Sequence, residues 1–209
     1  QTSISLNSQA LIATGKMSAN AADIRVLTKT GAVLPHWVDH TTLNSTNTQI
    51  WFKTNLNATA LDTVYLFYGN TSAVDISSGT SVFSVFDDFD QTSINTSIWN
   101  TCINGSASLT NGNLELLSPS GGKNTLVSVA SFSSSAITEV YINSIDNGRA
   151  LIGVGSFSGS PSGFVAAIDE PGAAVFNNRV QKLTSSTPCF GSSNLNAPNN
   201  TGTVVSGGS

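Results

Sequence analysis

Along most of this chain the apolar residues come in short alternating or wholly apolar runs, broken by clusters of Gly, Asn, Ser and Pro. That is the period of a strand, so the pattern predicts an all-β chain with no amphipathic helix. Residues 22–28 and 32–38 read as strands joined around Thr30-Gly31, and residues 48–54 alternate Ile50 and Phe52 against Gln49, Trp51 and Lys53. Asp62 to Tyr68 is apolar on both faces, which predicts a central strand covered on each side. A second series falls at 82–89, 98–103, 113–117, 123–132, 136–145, 149–157, 163–168 and 173–183, with hairpins expected around Asp146-Asn147-Gly148 and Glu170-Pro171-Gly172. So many short strands imply sandwich or jelly-roll modules. A soft boundary near Asp90 gives a first module over 14–90 and a second over 91–209, whose tail from Ser185 is expected to be loose. One continuous sandwich is the alternative.

The N-terminus reads differently. Thr2, Ile4, Leu6, Ala10 and Ile12 fall on one face and Ser3, Ser5, Asn7 and Gln9 on the other, with Ser8 alone interrupting the apolar face. At about 3.3 Å per residue an extended strand of this length reaches about 40 Å, long for a strand used within its own domain. Residues 1–13 are therefore expected to form an extended donor strand that can serve a neighbouring chain.

Composition narrows the setting. Only 10% of residues are charged, against a globular average of about 25%, and about a quarter of the chain is Ser or Thr. Such a surface of hydroxyls and amides changes little with pH or salt, which suits an extracellular location. The net charge of −4, with Lys and Arg scattered singly, offers no basic stripe for nucleic acid. An apolar content of 39% argues against disorder. No apolar run of membrane-spanning length is present, and Gln1 reads as a processed start. Cys102 and Cys189 suit a single disulfide in an oxidising compartment, and closing that loop is worth about 4–5 kcal/mol in the chain-entropy account.

Candidate chemistry is sparse. Sequons for N-linked glycans occur at Asn44, Asn57, Asn70, Asn95, Asn104 and Asn199, each near an expected turn or strand end. Their number is what Asn, Ser and Thr content alone would generate, so only their context carries weight. Asp87, Asp88 and Asp90 invite a calcium reading but lack the glycine and distal glutamate of an EF-hand loop. On a strand His36 and His40 would share a face with Asp39 pointing away, too few ligands for zinc. Glu115, Glu139 and Glu170 stand singly where a glycosidase needs a carboxylate pair, and no nucleophile elbow or phosphate loop exists. No catalytic residue, metal or cofactor is therefore expected. Trp37, Trp51, Trp99 and Tyr141 are either core aromatics or sugar-stacking platforms.

The segments Gly15-Lys16-Met17, Asp23-Ile24-Arg25, Leu34-Pro35-His36-Trp37, Ile50-Trp51-Phe52-Lys53, Tyr65-Leu66-Phe67-Tyr68-Gly69-Asn70 and Phe86-Asp87-Asp88-Phe89-Asp90 resemble, in order and spacing, an uncharacterised β-domain family of archaeal and bacterial surface proteins. In that family the domain often precedes a concanavalin- or laminin-G-like jelly roll, which residues 91–183 resemble in a shortened form. The family usually opens with one more strand than this chain has before Ile4, and a sandwich lacking a strand exposes backbone groups that another chain can pair. The chain is also similar to the subunit family of the archaeal surface filament called the thread, a resemblance that implies head-to-tail polymerisation by donated N-terminal strands. The resulting expectation is a secreted structural subunit of an adhesive surface filament, a homopolymer carrying N-linked glycans. The alternative is a secreted carbohydrate-binding module.

Overall fold

The computed structural model describes residues 1–55, 62–118, 124–131, 137–144, 149–156, 162–169 and 179–182, the last three segments as backbone. It is an all-β chain of antiparallel ladders with very little helix. Two compact units divide it, residues 1–88 and 89–209.

In the first unit β1 (Thr2–Leu6), β3 (His36–Val38) and β4 (Thr48–Phe52) form a three-stranded sheet in the order β1-β4-β3. Side chains directly opposite in an antiparallel ladder share a face. The register Thr2↔Phe52, Ile4↔Ile50 and Leu6↔Thr48, with His36↔Phe52 and Val38↔Ile50, therefore builds one inner face. The alternation read at 48–54 is realised, with Thr48, Ile50 and Phe52 buried and Gln49 and Trp51 on the opposite face. Facing that sheet, β2 (Arg25–Thr28) pairs with β5 (Val64–Phe67) and contributes Val26, Val64 and Leu66. Met17, Ala21 and Ile24 complete the core, and Leu11 and Ile12 pack against it.

Three expectations change here. The extended run at the N-terminus stops at Leu6, and Ser8–Ala13 is a helix, α1. Asn7 caps it, accepting from the Ala10 N–H at 3.0 Å. Gly15, at φ +66, ends it: the Gly15 N–H donates to Ile12 O and the Lys16 N–H to Leu11 O, both at 2.9 Å, the two bonds of a Schellman motif. Ser8, the break in the apolar face, is fully buried, its Oγ 2.6 Å from Thr48 Oγ1. Secondly, β5 is not covered on both faces: Tyr65 and Phe67 point outward and are 46% and 54% exposed. Thirdly, residues 82–89 form no strand. A second short helix, α2 (Gly79–Val82), leads into Phe83 and Phe86, which lie against the outer face of the β1-β4-β3 sheet. Phe86 stands 4.9 Å from Trp37 and Phe83 5.4 Å from Trp51, ring centre to ring centre and edge to face. The pairing expected around Thr30-Gly31 survives as a tight turn with a single Leu27↔Val33 bridge, while β3 joins the other sheet.

In the second unit β6 (Trp99–Ile103) pairs with β9 (Asn124–Ser128), and β7 (Ser106–Thr110) with β8 (Asn113–Leu117). The turn between β7 and β8 is Asn111-Gly112, with φ +51 and +71, the paired positive values of a type I′ hairpin. Then β10 (Arg149–Ser156), β11 (Ser162–Asp169) and β12 (Arg179–Lys182) form an antiparallel sheet in that order. Residues 137–144, expected as a strand, are irregular and largely exposed, so β10 takes β11 as its partner. The turns expected at 146–148 and 170–172 and the tail from Ser185 lie outside the described residues.

Candidate functional site

Two places in the first unit bring sequence-singled residues together. One is the N-terminal segment in its groove. Thr2, Ile4 and Leu6 are half-buried along β4, Ile12 packs on the core from α1, and Ala10 is exposed on the helix. Among the described residues β1 has a single partner strand, β4, so its outer edge keeps unpaired backbone groups.

The other is a fixed turn at the end of β5. Asp23 is buried, and its carboxylate accepts from the Ser18 N–H at 3.1 Å and from the Gly69 N–H at 2.6 Å. Gly69 has φ +100 and lies against the Lys16 carbonyl, where a Cβ would come within 3.1 Å. Beside it the Arg25 guanidinium donates to Ala22 O at 2.9 Å, Ile24 O at 2.6 Å and Val74 O at 2.5 Å. Asn70 follows, exposed, with its Oδ1 accepting from the Ser72 N–H at 3.1 Å. The motif segments Gly15-Lys16, Asp23-Ile24-Arg25 and Gly69-Asn70 thus meet at one point. Sequence reasoning singled out Asp23-Ile24-Arg25 only as a segment of the family resemblance and gave neither residue a partner, because the Gly69 N–H and the Val74 carbonyl that face them are distant in the chain.

The remaining candidates are scattered. His36 is buried on the inner face, its Nδ1 3.2 Å from the Leu34 carbonyl oxygen. Burial pushes its pKa below the usual histidine value, Arg25 works in the same direction, and the Leu34 contact and Asp75 oppose them. His40 does not share a strand face with His36, because β3 ends at Val38 and His40–Thr42 is a 3-10 turn capped by Asp39. Asp39 Oδ1 accepts from the Thr41 N–H at 2.9 Å and the Thr41 hydroxyl at 2.7 Å. No group of three His, Cys, Asp or Glu able to hold a metal occurs among the described residues. Trp37 packs edge to face on Phe83 and Phe86 and Trp51 on Phe83, both half-buried, and Trp99 stacks on Phe89 at 6.4 Å, which leaves Tyr141 as the exposed member of the aromatic set. Asn44, Asn70, Asn95 and Asn104 are exposed, while Asn57 and Asn199 lie outside the described residues. Cys102 is disulfide-bonded, and Cys189 lies outside the described residues. No helix among the described residues is long and apolar enough to cross a membrane.

Residues 20–102 match the family described as Domain of unknown function (DUF2341). The match begins after α1 and runs into β6. It agrees with the resemblance to an uncharacterised β-domain family and assigns no activity. No curated protein and no solved structure matches the chain.

Proposed function

We propose that this chain is a non-catalytic structural subunit of an extracellular surface filament, joined head to tail to further copies by exchange of residues 1–14, with adhesion as its use. The observation that carries this reading is the fit of β1 to its groove: one face of alternating apolar residues on a strand that, among the described residues, pairs with β4 alone, followed by a short helix that ends at Gly15. Such a segment makes the same contacts whether the groove belongs to its own chain or to a neighbour, and exchange in an open, non-closing geometry builds a filament. The earlier expectation of a bare strand is modified in one respect. The exchanged unit is strand plus helix, with its hinge at Gly15-Lys16, and assembly has to open a groove that the monomer fills itself. The low-charge, hydroxyl-rich surface supports the extracellular setting.

Aspartate at Ile4 and Leu6 is a poor test, since both side chains pack on the monomer core. A Ser5→Cys/Gln49→Cys pair is better, because the Gln49 amide donates to Ser5 Oγ at 2.8 Å on the outer face. Treated at the cell surface of its native host with a short thiol-specific cross-linker, an exchanged chain gives a ladder of covalent multimers on a denaturing gel. Intrachain cross-links alone would move the reading to a secreted carbohydrate-binding module, for which the outward Tyr65 and Phe67 are the supporting observation.

A further inference from the structure

Asn70 differs from the other sequons in what surrounds it. It alone of the six has an aromatic residue two positions before it, Tyr68. Tyr68, the first residue after β5, is 41% exposed, and β5 itself carries Tyr65 and Phe67 on its outward face. Opposite them in the ladder stand Leu27 and Arg25, and the Arg25 bond to the Val74 carbonyl brings Val74, 76% exposed, to the same end. These exposed apolar side chains gather with Arg25 at one end of the β2-β5 ladder, on a chain with little charge to keep them soluble, and such groups are normally covered.

The turn that presents Asn70 is held on both sides. Upstream, the Gly69 N–H is fixed by the buried Asp23 carboxylate and Gly69 reverses the chain at φ +100. Downstream, the Asn70 carboxamide oxygen is taken by the Ser72 N–H, and its Nδ2 has no acceptor among the described residues. A fixed, exposed amide nitrogen next to an exposed ring is an acceptor with its platform already in place. The C–H face of a pyranose is apolar and packs on an aromatic face, so the first sugar gains contact without ordering any further residue.

We infer that Asn70 carries an N-linked glycan whose first sugar packs on Tyr68 and whose further sugars cover the exposed apolar side chains at that end of the ladder. The donor is an oligosaccharide linked through phosphate to a lipid. The Asn70 Nδ2 bonds to the anomeric carbon and gives up one proton, the anomeric C–O bond to phosphate breaks, and the lipid phosphate leaves with that oxygen and the bonding pair. The inference rests on the extracellular setting proposed above but not on strand exchange, because no residue of the N-terminal segment takes part in it.

Glycopeptide mass spectrometry of protein from its native host reads occupancy directly and needs no variant. Asn70 is expected to be modified in most molecules. Thermal melts of Tyr68→Ala in two backgrounds then read the platform. With Asn70 intact the midpoint falls by several degrees, and with Asn70→Gln the same change moves it by less than about one degree. An empty Asn70 beside another occupied sequon, or no occupied sequon at all, overturns the inference. Equal shifts in both backgrounds overturn the platform, because Tyr68 would then serve only the fold. An empty Asn70 in a chain that dimerises until Phe67→Ser is introduced assigns the face to a second copy instead.

Discussion

The first unit and the ladders of the second share one vocabulary of short alternating strands and reach different degrees of burial. In β4 the residues Thr48, Ile50 and Phe52 are all nearly inaccessible, because β2, β5 and the 17–24 segment lie over Ile50 and Phe52 and Ser8 meets Thr48. In β6 and β9 the same kind of alternation yields only half-buried and exposed positions, and in β8 Leu116 and Leu117 are 39% and 56% exposed. Among the residues whose side chains are described, every buried one belongs to the first unit. Alternation thus decides that a segment is a strand and which side chains share a face. It does not decide whether a second layer arrives to cover that face.

The comparison breaks most sharply at Ile50. Truncating a fully buried β-branched side chain removes its transfer energy and leaves a cavity, so Ile50→Ala should cost about 2–5 kcal/mol. Leu126→Ala on the half-buried β9 should cost well under half as much. Chemical denaturation read by hydrogen exchange over 24–28 and 48–52, against 99–103 and 124–128, checks both. Equal costs would mean that β6 and β9 are as well covered as β4.

Where packing is thinner, a covalent link has more to contribute. Cys102 sits on β6, opposite Thr125 of β9, and is disulfide-bonded. Removing a disulfide typically costs about 2–4 kcal/mol. Cys102→Ser is therefore expected to speed exchange in β6 and β9 and to leave 24–28 and 48–52 unchanged. Loss of protection in the first unit instead would show that the bond supports both.

What could be read from the sequence follows the same division between local pattern and distant partner. The strand at 48–52 was legible because its alternation is strict. The Asn-Gly hairpin rule is realised at Asn111-Gly112, which the sequence reading did not single out, while the turn expected at 146–148 lies outside the described residues. Helix α1 was overlooked because Thr2, Ile4, Leu6, Ala10 and Ile12 fit period two across a break. Asn7 and Gly15, a cap and a C-terminal stop, were the signals that competed with it. The run from Asp62 to Tyr68 was read as central because it is apolar on both faces, and nothing local could report that the face of Tyr65 and Phe67 has no cover among the described residues. Of the candidate site, Asn70 was legible as a sequon. Its turn depends on Asp23 and its setting on Val74, contacts across tens of residues that no local pattern encodes.

The smallest expected effect separates the units by pH. His36 and His40 are the only histidines, and both lie in the first unit. His36 is buried on the inner face, and its folded pKa is lowered chiefly by that burial, with Arg25 adding to it, against an ordinary value of about 6.5 in the unfolded chain. Between those two values the unfolded chain binds more protons than the folded one, so unfolding is favoured as pH falls. The first unit should be at full stability above about pH 6.5 and lose stability as pH drops through the lowered folded value. His36→Gln, which keeps a donor for the Leu34 carbonyl, should flatten that slope at a fixed cost in the midpoint. Hydrogen exchange over 48–52 from pH 7.5 down to 5, corrected for intrinsic rates, reads the effect, and β6 and β9 should show none of it. A slope that survives His36→Gln, or that appears equally in β6 and β9, would assign the acid sensitivity to groups outside this core.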